Sequence, residues 1–223
     1  MKPKDLRIPI EENKGRSFIH DRLFRIPKLD EKSFIFPGWN HPDVFGNDNE
    51  VHLEYCSGNG GWVGSKALSD PQINWVGIEM KLGRSRKIWA KIKNFELPNL
   101  FVINGEGYHA TVNYLPSASV HKIYINFPDP WPKRRHSKNR IIQPKFLAEM
   151  ARILIPGGSV LFVTDDPEYS DWTIDIFANS KSFVSHYPAP FYSCDLENYG
   201  TSFFDALWRE KGKTIRYHHY VKF

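Results

Sequence analysis

The run Asn126-Phe127-Pro128-Asp129-Pro130-Trp131-Pro132-Lys133-Arg134-Arg135-His136 sets one carboxylate between two prolines and follows it with an indole and several cations. Proline fixes φ, removes a backbone donor and drives the preceding residue towards extended geometry. Asp129 is therefore expected in a stiff loop just past the β-like run Lys122-Ile123-Tyr124-Ile125. In open α/β sheets the carboxyl ends of the strands are where ligands bind. A lone acid among rigid, aromatic and basic groups suits a flat ring carried beside phosphates. An ordinary charged strand exit is the plain alternative.

A second constellation precedes it. Glu54-Tyr55-Cys56-Ser57-Gly58-Asn59-Gly60-Gly61 joins a β-like run to a helical one. Gly58 and Gly60 let the backbone approach a ligand, and helix-start amides favour polar or anionic groups. Glu79 ends the next β-like run, where an acid suits the two hydroxyls of a ribose. A pyrophosphate would sit poorly beside Glu54, whereas the ammonium of an amino acid would sit well. A ligand with an amino group and a ribose but no phosphate is S-adenosylmethionine. Glu106, after the third β-like run, is then placed to accept from the adenine amino group.

These residues need a frame. Val51–Tyr55, Asn74–Glu79, Leu100–Ile103, Lys122–Asn126 and Ser159–Thr164 read as strands alternating with helices. Leu82, Trp89 and Ile92 mark the inward face of one helix. A second opens at Pro144, turns Phe146, Leu147, Met150, Ala151 and Leu154 inward, and stops at Pro156-Gly157-Gly158. Alternation of this kind implies a parallel sheet with helices on both faces. Arg216–Val221 reads as a further edge strand. Residues 1–48 are polar and basic and read as an N-terminal extension without its own core, with one domain over 49–223.

The 223 residues include 41% hydrophobic ones without a long apolar run, which excludes a membrane-spanning helix. The first residues lack a secretory signal, and two cysteines, Cys56 and Cys194, imply a reduced, cytoplasmic compartment and no structural zinc. No metal is expected, since the histidines converge on no ligand set. The net charge of +5 favours an anionic partner. Two clusters carry the excess: Lys81, Arg84, Arg86, Lys87, Lys91 and Lys93, and then Lys133, Arg134, Arg135, Lys138 and Arg140. They suit a polyanion, although the first also fits a solvated helix face. A monomer is the expectation, with a homodimer as the alternative.

Phe127-Pro128-Asp129-Pro130-Trp131-x-Lys133-x-Arg135-His136, with Lys138-Asn139-Arg140-Ile141, resembles the signature of bacterial tRNA (guanine-N7-)-methyltransferases, and the likeness runs from Glu54 to the C-terminus. It implies a class I methyltransferase fold, Rossmann-like, with a seven-stranded mostly parallel sheet, one antiparallel strand and helices on both faces. It implies S-adenosylmethionine as methyl donor and a guanosine in the tRNA variable loop as acceptor. By the same resemblance Glu54 and Glu79 contact the methionine and ribose parts of the cofactor, Gly58 and Gly60 form its turn, and Glu106 meets the adenine. Asp129 is the active-site acid, also at the cofactor, while Lys133 and Asp165 contact tRNA. Thr201-Ser202-Phe203-Phe204 matches a substrate-binding T-x-[FY]-E segment.

The chain departs from that pattern in three places. Cys56 stands where a glycine is usual, with β-carbon bulk that would press on the cofactor pocket. Glu106 replaces a shorter acid. Phe204 replaces the final glutamate, with Asp205 next to it, so the guanine-edge contact has moved or vanished. The chemistry needs few acid/base groups: N7 of guanine has an in-plane lone pair and no proton, so alignment and exclusion of water suffice. Asp129 would orient the guanine or stabilise the cationic product, and Trp131 would stack on a base or pack beneath the loop. Arg134, Arg135 and Lys138 would grip phosphates. The rivals are a methyltransferase acting on another RNA base, an N6-adenine or glutamine methyltransferase, a nicotinamide oxidoreductase and a non-catalytic RNA-binding relative. The amino-methyltransferase loop needs adjacent prolines, which Asp129 separates here, and Glu54 disfavours the oxidoreductase.

Overall fold

Short runs rich in valine, isoleucine and aromatic residues become strands here because both faces of the sheet are covered: Val51–Tyr55 and Asn74–Glu79 are buried at every position. The computed structural model describes residues 1–29, 34–200 and 202–223, with Arg134 as backbone only. Two units form, Met1–Pro116 and Ser117–Phe223.

In the first unit the order along the chain is β1 (Phe18–His20), β2 (Leu23–Arg25), β3 (Val51–Tyr55), α1 (Gly61–Ser69), β4 (Asn74–Glu79), α2 (Leu82–Asn94), β5 (Leu100–Asn104) and α3 (Gly107–Tyr114). The strands lie side by side as β1-β2-β5-β4-β3, all parallel except β1. On α2 the residues Ser85, Ile88, Trp89 and Ile92 are buried at helical spacing, whereas Leu82 is only half-buried. Ile88, not Leu82, therefore completes the inward stripe.

The second unit holds β6 (Val120–Asn126), α4 (Pro144–Ile153), β7 (Leu154–Thr164), α5 (Pro167–Ala178), β8 (Phe183–Ser185), α6 (Phe203–Glu210) and β9 (Arg216–Lys222). β6 and β7 are parallel, and β9 runs antiparallel to both β7 and β8. Leu154, expected on the helix, begins β7 instead, because Pro156 bars the residue before it from continuing an α-helix.

Nine strands occur among the described residues, against seven expected. β3–β9 match the expected seven, with β9 as the antiparallel one. The two additional strands come from residues 1–48. That segment lies within the first unit and joins its core: Leu23 and Phe24 are fully buried, and β2 pairs in parallel with β5. Phe36 and Trp39 pack edge-on at 4.9 Å, and Phe45 lies 5.9 Å from Phe101. Burying one such ring stabilises by ~1.5–3 kcal/mol.

His218 of β9 is fully buried, its Nε2 3.0 Å from Ser170 Oγ. Burial holds it neutral and pushes its pKa down to about 4, and His219 shifts alike through burial and the nearby His186 and Lys122. Below the ordinary value near 6.5 the unfolded chain takes up a proton that the folded His218 refuses. Stability is thus present above that pH and declines as pH falls towards 4. From His218 alone the loss by pH 5 is about 2 kcal/mol. Urea midpoints at pH 7.5 and pH 5 check this, with His218→Asn flattening the slope.

Candidate active site

In the first unit the turn after β3 is built on left-handed backbone. Cys56, Gly58 and Gly60 have φ of 59°, 55° and 66°. A β-carbon on Gly60 would lie 2.6 Å from Ile88 Cγ1, so the turn and α2 can meet only over a glycine. Cys56 is exposed, and its departure from glycine has a backbone cost: a non-glycine residue in this region is disfavoured by ~1–2 kcal/mol. Cys56→Gly is expected to raise the unfolding free energy by about 0.5–1 kcal/mol after the entropy gained by the unfolded glycine. Cys56→Val should lower it by more than about 1 kcal/mol. Chemical denaturation reads both.

Glu79 ends β4 with its carboxylate already oriented. The Gly58 amide donates to Oε2 at 3.0 Å and the Lys81 amide to Oε1 at 2.7 Å. The Glu79 carbonyl accepts from Asn104 Nδ2 at 2.9 Å and Ser85 Oγ at 3.0 Å. Asn104 is fully buried and also reaches Met80 O and Ser85 Oγ, so it fixes the whole turn into α2. Sequence reading missed Asn104. Its one signal was a polar residue directly after the apolar run Leu100–Ile103. Glu54 is buried at the carboxyl end of β3, opposite Gly77 in register. Glu106 stands exposed at the N-terminus of α3, where its carboxylate accepts from the amides of Tyr108 at 3.0 Å and His109 at 2.7 Å. Gly58 and Glu79 are thus brought into contact, while Glu106 serves first as a helix cap.

Neighbouring strands therefore present three carboxylates at one end of the β3-β4-β5 sheet. That donor set repels a pyrophosphate and suits a ligand offering an ammonium, a ribose diol and a ring amine. Each carboxylate oxygen of Glu79 keeps a lone pair beyond its amide contact. A β-carbon on Gly61 would meet nothing within 4 Å, so space is open over the start of α1. S-adenosylmethionine fits these residues.

In the second unit β6 leads into the proline loop. Phe127 and Trp131 both have φ of 47°, so left-handed residues flank Pro128-Asp129-Pro130. The Asp129 carboxylate is exposed and makes no hydrogen bond or ion pair among the described residues; the same holds for the Lys133 ammonium, while the Lys133 carbonyl accepts from the His136 amide at 2.7 Å. The loop is held from beneath. Tyr199 Oη donates to Asn126 Oδ1 at 2.8 Å. Arg140, 4% exposed, donates from Nε to Pro130 O at 2.9 Å and lies 5.0 Å and 5.2 Å from the rings of Tyr169 and Trp172. Its Nη2 reaches Glu168 at 3.3 Å. Grouping Arg140 with the polyanion cluster is thus corrected: it lies under the loop. Arg140→Met is expected to lower turnover more than tenfold with cofactor affinity unchanged, and Arg140→Lys to recover part of it. A kcat loss without a change in cofactor Kd checks this.

Asp165 pairs with Lys213, whose ammonium sits 4.0 Å over the Trp208 ring, and Asp166 caps α5 by accepting from the Tyr169 amide at 2.7 Å. Ser202 Oγ caps α6, accepting from the Asp205 amide at 3.1 Å. Phe203 and Phe204 lie on that helix, and Phe204 meets Phe127 at 6.1 Å. Thr201 and the side chain of Arg134 fall outside the described residues. Asp205 is buried, accepting from Arg209 Nε at 2.8 Å and from Tyr217 Oη. Burial first, and then the bond to Asp205, push the Tyr217 pKa up to about 12.

A Rossmann-like sheet with an antiparallel β9, and carboxylates rather than a phosphate cradle at its strand ends, defines the class: an S-adenosylmethionine-dependent methyltransferase fold. Two solved structures share it. One is a SAM-dependent methyltransferase from Aquifex aeolicus, with a TM-score of 0.54 and 14% identity over 79% of this chain and 84% of that one. The other is the 16S rRNA methyltransferase KamB, with 0.55 and 18% over 80% and 90%. A family described as "Putative methyltransferase" matches residues 48–216. The chain is similar to the tRNA (guanine-N(7)-)-methyltransferase of Chlamydia felis, at 40% identity over all of this chain and 98% of the relative. It is similar to that of Streptococcus mutans at 30% over 78% and 82%. The chain belongs to the tRNA (guanine-N(7)-)-methyltransferase family. Among the described residues no helix is long and apolar enough to cross a membrane.

Proposed function

We propose that this protein transfers a methyl group from S-adenosylmethionine to N7 of a guanosine in the variable loop of tRNA. The observation that carries the reading is the loop itself: an exposed carboxylate, Asp129, without a partner among the described residues, held between two left-handed residues and anchored by buried Arg140. Such geometry is unfavourable for the chain and is retained where a site needs a fixed group.

Bound S-adenosylmethionine supplies an electrophilic methyl on a sulfonium. Glu54 holds the ammonium of its amino-acid end. Glu79, oriented by the Gly58 and Lys81 amides, accepts from the ribose hydroxyls. Gly58 and Gly60 shape the turn, and Glu106 accepts from the adenine amine with the lone pairs its capping bonds leave. N7 needs no base, so Asp129 moves no proton; it orients the guanine and offsets the positive charge that develops on the purine. Lys133 and Arg135 meet phosphates, which position the tRNA without reading it. The Thr201–Phe204 segment belongs to the substrate side. Asp165 joins it once Lys213 is drawn to a phosphate.

The test is methyl transfer from labelled S-adenosylmethionine to unmodified bulk tRNA, with nucleoside analysis. Labelled 7-methylguanosine is the expected product. Label in another nucleoside would keep the cofactor and overturn the substrate. Absence of calorimetric heat with S-adenosylmethionine would favour a non-catalytic RNA-binding relative.

A further inference from the structure

Helix α6 is turned inside out. Its buried residue is the acid Asp205, 5% exposed, whereas Phe203 and Phe204 are 74% and 46% exposed. A surface helix ordinarily buries its apolar stripe and leaves its acids in water. Here the acid is consumed internally: Arg209 and Tyr217 bind its two oxygens, which leaves it in no position to read a substrate. Ser202 fixes the start of the helix, so the two rings cannot turn inward without breaking the cap. They pack edge-on at 5.4 Å, and Phe204 tilts 40° against Phe127 at 6.1 Å. Phe127 is the left-handed residue that opens the Asp129 loop. Two residues of chain span at most ~7 Å, so the backbone of Phe127, whose ring meets Phe204, lies within that reach of the Asp129 backbone.

We propose that Phe204, with Phe127 and Phe203 behind it, is the surface on which the target guanine stacks, and that stacking replaces an acidic contact to the guanine edge in this chain. The proposal rests on the tRNA reading above and specifies how its site holds the base. Three observations select a nucleobase as the occupant. The platform is made of π-faces, it is continuous with the loop that bears the exposed Asp129, and exposed Lys133, Arg135 and Lys138 follow that loop to meet phosphates. Stacking carries no hydrogen-bond code, so identity is left to Asp129 and to the N7 geometry.

Steady-state kinetics with unmodified tRNA, together with filter-binding affinity for the same tRNA, test it. Phe204→Ala is expected to lower kcat/KM for tRNA by about tenfold to a hundredfold and to weaken tRNA binding, with the calorimetric Kd for S-adenosylmethionine unchanged. Phe204→Tyr should restore most of the loss, and Phe204→Leu, which keeps the apolar bulk without the π-face, should not. Unchanged kcat/KM and affinity in Phe204→Ala overturn the platform while leaving the tRNA reading intact. A drop in oligomeric mass for Phe204→Ala with unchanged kinetics also overturns it, since a second copy would then cover the rings. If the unsubstituted protein forms no 7-methylguanosine, the tRNA reading fails first, and unchanged tRNA affinity in Phe204→Ala would then sink the platform as well.

Discussion

Replacing Asp129 by alanine is expected to lower methyl transfer to tRNA by about a hundredfold or more while leaving the Kd for S-adenosylmethionine within about threefold. The magnitude is that of removing one preorganised group from the place where charge develops. The split between the two readouts follows from where Asp129 sits: exposed, without partners among the described residues, in a loop whose anchors are Asn126 and Arg140. Its removal leaves those anchors intact, so the thermal midpoint should barely move. Asp129→Asn keeps the shape and the acceptor but not the charge, and it separates the two roles open to the carboxylate. A large loss in Asn points to stabilisation of the cationic purine; a small one points to orientation of the guanine. Loss of cofactor binding and turnover together would show a loop that is structural.

The second large effect is at Glu79. Glu79→Ala is expected to weaken S-adenosylmethionine binding by at least about a hundredfold, because charge-assisted hydrogen bonds are each worth ~1.5–3 kcal/mol. The same change releases the Gly58 and Lys81 amides, so the turn between β4 and α2 loosens and the protein unfolds at lower denaturant. Glu79→Gln keeps an acceptor and should fall between. Calorimetry on both variants decides the point: affinity within threefold of the original would remove Glu79 from the ribose.

Much of this was legible in the chain, and the reason differs by element. β3 and β4 fall on Val51–Tyr55 and Asn74–Glu79 as read, because short apolar runs ending at an acid or a glycine turn leave little freedom. The proline loop was visible because its constraints are local. What escaped depends on distant partners. Phe18–His20 and Leu23–Arg25 are too short and too polar to announce strands, and they become strands by pairing alongside β5. Arg140 reads as one more surface cation until Pro130 O, Tyr169 and Trp172 surround it. Asn104 shows nothing of its four contacts in sequence. Asp165, read as a substrate contact, already holds Lys213, a residue far along the chain. Cys56 went the other way: the missing glycine was noticed, and the structure adds that this position takes left-handed backbone.

Glu79 and Glu106 each bind backbone amides with both carboxylate oxygens, one closing a turn and the other starting a helix. Mutational routes to a different nucleoside preference are therefore narrow. On the proposed reading, a replacement that removes either carboxylate also removes its amide contacts, for Glu106 a helix cap worth ~0.5–2 kcal/mol, from a fold whose reserve is of the same order as a few such losses. Drift towards another cofactor would first need compensating stabilisation elsewhere, and Cys56 offers one place for it. An experimenter seeking an altered methyl donor does better to redesign the small molecule at its sulfonium substituent. On the proposed reading, the ribose and adenine ends would meet the same carboxylates that hold the turn and cap the helix.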